Sequence, residues 1–381
     1  MVERDPVVAV LVAAVGGPAV EDDGRSLATR SVEDVLAIAD AHRVAPALAR
    51  HLAALPDPPA ELLDALRPWR TEQVLRHLTT LGDLAPVAEA FDQAGIRWVV
   101  IKGPVTAATL WPSPDMRDYF DLDLVVEPER LADAIAVLDA LGAEQLDVAW
   151  GLIRRQMRAE LSFVLPRGTL LDLHWHPVND TRLRQALRWD VGELLDRRRT
   201  VQVGSLEVPG LDPADAAVHL AYHAVHSGGY RLLWLADVAY GLAAADPAVV
   251  VERAEAARLA LLVQVAADRV DRVIGPTPNL PWTSSRGGVW RAGMRAVDAR
   301  TEVPRPGVSG RSGRTRVAST RPSTGASVLA LLGAAVGHAV QRHGAADGEA
   351  ADNPLRSPDG DLVARRDYLA AVARSRVRPN G

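Results

Sequence analysis

Two carboxylates two residues apart, Asp121 and Asp123 in the run Asp121-Leu-Asp-Leu-Val-Val126, constrain this chain more than any other feature. The run is short, apolar and ends in β-branched residues, so it reads as a strand. Alternation along a strand sends residues i and i+2 to one face, so both carboxylates project together while Leu122 and Leu124 turn to a core. Ionised carboxylates this close repel one another. They call for a cation: a basic side chain such as Arg117 in the segment just ahead, or a hard divalent ion such as Mg2+. Such an ion is bound through one or two carboxylates together with a substrate's phosphates.

The surroundings of that strand predict a compact mixed unit. Residues 96–101 form a β-branched run that breaks at Lys102-Gly103-Pro104 and passes into a helix at 106–110. A helix at 129–141 follows Pro128, a residue suited to a helix start. Two further strands, 160–165 and 169–175, stand at hairpin spacing around Pro166-Arg-Gly168. In Leu170-Leu-Asp-Leu-His-Trp175, alternation puts Leu171, Leu173 and Trp175 on one face and Asp172, His174 and His176 on the other. Asp172 is thus a third carboxylate: beside the Asp121 strand it would complete a set able to hold one or two Mg2+ ions with a nucleotide's phosphates. On its own strand it could instead be hydrogen-bonded to His174, with Glu160 the reserve acid. Lys102 and Arg117 could supply positive charge to phosphates.

Helical periodicity frames this unit on both sides. Apolar residues recur at helical spacing from 31 to 93 and again from 212 to 273, with breaks at Gly228-Gly229 and Pro247. The fold class expected is α+β, a small mixed-sheet core flanked by N-terminal and C-terminal helical regions. The boundaries expected are a helical region at 1–93, the α/β unit at 94–210, a helical domain at 211–276, a basic linker at 277–326 and a helical tail at 327–381. The linker is Arg-rich among Gly, Ser, Thr and Pro, a composition that buries too little apolar area to offset its ordering entropy.

Bulk composition excludes several classes. The 381 residues are 48% hydrophobic and 24% charged with a formal net charge of −5, which disfavours a general nucleic-acid binder. Cysteine is absent, so disulfides and thiolate metal sites are excluded. The apolar run at 7–15 follows Glu3, Arg4 and Asp5 and reads as a helix; neither it nor 328–336 reaches the roughly 20 apolar residues of a membrane span. A cytoplasmic protein without a membrane partner is expected.

Ile101-Lys-Gly103, Leu110-Trp-Pro112, Arg117, the Asp121 strand and Leu171-Asp-Leu-His-Trp175 stand in that order. His219, His223, His226, Arg231, Trp234 and Asp237 follow them. In this the chain resembles, over residues 30–275, the uncharacterised nucleotidyltransferases of the DNA polymerase beta-like superfold. It departs from the superfold at Gly103-Pro104, where Gly-Ser or Gly-Gly is usual, and in a longer gap to Asp121. The resemblance implies transfer of a nucleoside monophosphate from a nucleoside triphosphate, ATP among them, to an acceptor hydroxyl, with release of pyrophosphate. It implies that Asp121, Asp123 and Asp172 hold Mg2+, that Asp172 also helps to activate the acceptor, and that Gly103 lets the backbone approach the phosphates. Lys102 and Arg117 fall to the nucleotide. The acceptor, a biosynthetic peptide, a saccharide or a small molecule, falls to His174, His219, His223 and Arg231. Two alternatives stay open: a non-catalytic nucleotide- or peptide-binding accessory protein of a biosynthetic assembly, and a zinc site on the histidine face at 219, 223 and 226, completed by His174 or Asp237.

Overall fold

A computed structural model describes residues 6–17, 27, 30–227, 229, 231–282 and 353–375. The basic linker from 283 onward and the expected helical tail up to 352 lie outside these residues. The chain divides into two compact units. One holds the described residues up to Leu75, Leu110–Asp118 and those from Pro213 to 282; the other holds Arg76–Thr109, Tyr119–Asp212 and residues 353–375. The fold is α+β, built around one mixed sheet.

The seven strands among the described residues belong to the second unit: β1 (Trp98–Val100), β2 (Asp121–Val126), β3 (Glu144–Gln145), β4 (Glu160–Val164), β5 (Leu170–His174), β6 (Arg199–Val203) and β7 (Leu206–Gly210). Their order is β3-β4-β5-β2-β1-β7-β6. β2 runs parallel to β5 and β1 parallel to β7, and the remaining pairs are antiparallel. The predicted hairpin is β4–β5, closed where Asp83 accepts hydrogen bonds from the backbone N–H groups of Arg167 and Thr169.

Strand alternation divides the sheet's two faces. Trp98, Val100, Leu122, Leu124, Leu161, Phe163, Leu171, Leu173 and Trp175 enter one core with the helix Leu131–Ala140, Ile153 and the C-terminal helix Leu362–Ala373. Burial of this apolar area is the main force holding the unit together. Trp175 is a core residue, and its Nε1 donates to Arg158 O and Tyr368 Oη. Polar residues from three strands collect on the opposite face.

The other unit is helical. It contains the helices Pro6–Ala14, Val32–Ala41, Ala45–Ala53, Pro213–His226, Leu232–Ala244, Pro247–Ala256 and Ala260–Val273. The helix Ala60–Gln93 contributes residues to both units. Local rules set many of these boundaries: Ser31 accepts from Asp34 N, Asp246 from Ala248 N and Val249 N, and Pro46 and Pro247 stand in first turns. No single helix among the described residues is long and apolar enough to cross a membrane.

Candidate functional site

The three acids singled out in the sequence come together. Because β2 and β5 are parallel neighbours, Asp123 stands in register with Asp172 and Asp121 with Leu170. The polar face thus collects Asp121 and Asp123 from β2 and Asp172 and His174 from β5. One oxygen from each of Asp121, Asp123 and Asp172 lies within 4.8 Å of the others. Among the described residues these carboxylates form a group able to hold a metal ion, whereas His219, His223 and His226 do not.

Asp123 is the buried centre of the group. Its Oδ1 receives Lys102 Nζ at 3.0 Å and His174 Nε2 at 3.2 Å. Its Oδ2 is buried without a hydrogen-bond partner. Lys102 is placed by the turn after β1, where Ile101 N donates to Asp123 O and fixes the chain alongside β2. Gly103 then takes φ +61°, and a Cβ there would sit 3.0 Å from Asp121 O. The close approach that requires glycine is to the neighbouring strand's backbone.

The charges of the group are strongly coupled. Burial opposes ionisation of Asp123, but the Lys102 charge and the His174 hydrogen bond outweigh it and hold the carboxyl well below the usual range. Burial likewise disfavours the charged ring of His174. Its hydrogen bond to Asp123 and the charges of Glu160, Asp123 and Asp172 prevail and raise it. Asp172 is pushed up to about 7, by burial first and then by Glu160 and Asp123, against the opposing pull of His174 and of a 2.7 Å hydrogen bond from Ser162 Oγ. Two acids thus sit side by side with one firmly ionised and the other titrating near neutrality.

Two local expectations are corrected. The hydrogen-bond partner of Asp172 is Ser162, and His174 turns instead to Asp123, with Nδ1 3.9 Å from Glu160 Oε2. The cation on Asp123 is Lys102, while Arg117 makes a bidentate pair with Asp237. Ser162 was missed, although hairpin register places it opposite Asp172 and alternation puts it on the face of Glu160.

Arg117, His219, His223 and Arg231 belong to the helical unit. Arg117 is buried, its Nε and Nη2 each 2.8 Å from Asp237, which also accepts Trp111 Nε1 at 2.7 Å. His219 is buried on the helix Pro213–His226. His223 packs edge-on against Trp234, whose ring lies under the Arg231 guanidinium.

His176, which follows β5, is held neutral. Nδ1 accepts from Val178 N and Nε2 donates to Trp189 O; burial, then the Arg184 charge, lower its pKa to about 3. In the unfolded chain the ring titrates near 6.5, so between these values the unfolded state binds the extra proton and stability falls with falling pH. His176 is expected to contribute a loss of about 2 kcal/mol between pH 7 and pH 5. Urea midpoints at both pH values for wild type and His176→Gln measure it, and parallel pH slopes in the two proteins would refute it.

A mixed sheet that gathers three carboxylates on adjoining parallel strands is a scaffold suited to holding a divalent ion beside a nucleotide's phosphates. The chain belongs to the family of uncharacterised nucleotidyltransferases: that family's model matches residues 29–275, more than half of its length. The match runs through both units and includes all the strands. No curated protein matches the chain.

Proposed function

We propose that this protein is a Mg2+-dependent nucleotidyltransferase that moves a nucleoside monophosphate from a nucleoside triphosphate to an acceptor hydroxyl and releases pyrophosphate. The observation that carries the reading is the meeting of Asp121, Asp123 and Asp172 within a family of nucleotidyltransferases. The all-oxygen donor set suits a hard cation, and the partnerless, buried Asp123 Oδ2 gives it a place to bind. Asp121, Asp123 and Asp172 would hold the ion, which when bound stabilises charge on the phosphate oxygens.

The chain's own residues have separable parts in this reading. Lys102 and His174 fix the orientation of Asp123 by sharing Oδ1. Asp172 accepts the proton of the acceptor hydroxyl as its oxygen attacks the α-phosphorus. The new P–O bond forms as the bond to the β-phosphate bridging oxygen breaks, and pyrophosphate leaves. Ser162 holds Asp172 in place through Oδ1.

The direct test is pyrophosphate release from each of the four ribonucleoside triphosphates with Mg2+, with and without cell extract as a source of acceptor. Release that requires both extract and Asp123 supports the reading and gives an assay for the acceptor. Nucleotide binding without release under every condition would make this a binding protein.

Asp172→Asn separates function from stability. A raised carboxyl pKa means the folded state holds the proton more tightly between about 3.8 and 7, so stability falls as pH rises through that window. A neutral asparagine escapes this loss. The variant should lose turnover yet unfold at higher temperature than wild type at pH 8, by on the order of a few kcal/mol in stability. A lower melting temperature at pH 8 would contradict the strained-acid account.

A further inference from the structure

Of the 43 basic residues in this chain, Lys102 alone is a lysine, and every other is an arginine. The exception stands at the carboxylate group, with Nζ 3.0 Å from Asp123 Oδ1 and both side chains largely buried. The two cations differ in what they leave open. An arginine beside a carboxylate tends to engage both oxygens through its planar fork, as Arg117 does on Asp237 in this same chain. An ammonium is a compact point charge. Here it sits on Oδ1 and leaves Oδ2 without a partner, the oxygen needed by a metal ion.

A positive charge fixed this close, in a site with little water to screen it, opposes the arrival of a second cation. We propose that Lys102 is the resident counter-ion of the carboxylate triad: it holds down the affinity for a bare divalent ion, so that the ion enters together with a polyphosphate whose oxygens then receive the ammonium. The inference rests on the nucleotidyl-transfer reading and extends it by assigning the form in which substrate is taken, a metal–triphosphate complex in place of ion and nucleotide in turn. No covalent step is involved. The site exchanges its ammonium–carboxylate pairing for two others, metal with carboxylates and ammonium with phosphate, and the polyphosphate balances the added charge.

The test compares Lys102→Gln with wild type by calorimetry, using Mg2+ alone and Mg2+ with inorganic triphosphate. Lys102→Gln is expected to bind bare Mg2+ at least tenfold more tightly than wild type and to lose most of the gain that triphosphate gives wild type. Bare-ion affinity equal to or weaker than that of wild type overturns the inference. If wild type still binds Mg2+–triphosphate and releases pyrophosphate from nucleotides, the transfer reading stands without it. No binding of Mg2+ in any arm, triphosphate included, overturns both.

A measurement on the native sequence covers the case in which the variant does not fold. Biosynthetic labelling of lysine at Cε gives a single side-chain resonance, because the chain has one lysine. That resonance should stay in place with millimolar Mg2+ and move when triphosphate is added with it. Movement with Mg2+ alone that triphosphate does not alter would overturn the inference.

Discussion

Asp123→Asn is expected to abolish pyrophosphate release, with a fall of roughly a thousandfold or more, and to destabilise the fold at the same time. Both effects come from one carboxylate. Asp123 is buried, carries Lys102 and His174 on one oxygen, and offers the other to the triad. Its amide would leave the Lys102 ammonium, and the His174 ring beside it, facing a neutral side chain in a place with little solvent. Removing one partner from a buried charge pair typically costs about 3–5 kcal/mol. The two losses can be told apart through Asp121→Asn, since Asp121 is only partly buried. That variant should lose turnover to a similar degree while keeping most of its stability. Thermal unfolding and turnover are measured on both proteins at a temperature where circular dichroism shows each folded. Full turnover in either folded variant would sink the proposed mechanism.

What could be read from the sequence, and what could not, follows from the range of each interaction. Alternation is local, so the Leu122/Leu124 and Leu171/Leu173 faces and the opposed acids were legible from single segments, as was the hairpin around Gly168. The meeting of Asp123 and Asp172 was not. It depends on β2 and β5 being parallel neighbours, and the 43 residues between them, with their own helices and strands, could have joined them in several orders.

Partner choice inside the site was harder again. In isolation, β5 presents Asp172 and His174 to the same side two positions apart, which invites a bond between them. The register with β4 decides otherwise by bringing Ser162 opposite Asp172, and the register with β2 sets Asp123 beside Asp172 and diagonal to His174, whose Nε2 reaches it. Prolines inside a helix show the same limit of local rules. Pro68 and Pro86 lie within the single helix Ala60–Gln93, where local propensity alone would break it. Leu66, Leu84, Val87 and Phe91 are buried along it, and tertiary packing of that apolar face outweighs the lost backbone bonds.

In the helical unit, Asp237→Ala is expected to lower stability by about 3–5 kcal/mol, because it removes the carboxylate paired with the buried Arg117 guanidinium. Trp111 Nε1 loses its acceptor in the same substitution, which places the effect toward the upper end. Arg117→Met should cost a similar amount by taking the guanidinium from the buried carboxylate, which keeps only Trp111 Nε1 of these partners. The pair's net worth is smaller than either single loss, since two desolvated charges offset much of their own attraction. The double variant Arg117→Met with Asp237→Leu should therefore recover a large part of the stability, giving a coupling of 2 kcal/mol or more, of the order measured for contacting residues. Chemical denaturation of the four proteins of the cycle measures this, and additive losses would show that the pair is not the unit that matters. The same proteins decide the role expected of Arg117 from its place ahead of β2. If the double variant regains stability but loses triphosphate affinity, Arg117 serves the phosphates as well as the fold. Unchanged affinity assigns it to the ion pair, and leaves the ammonium of Lys102 as the phosphate cation of the site.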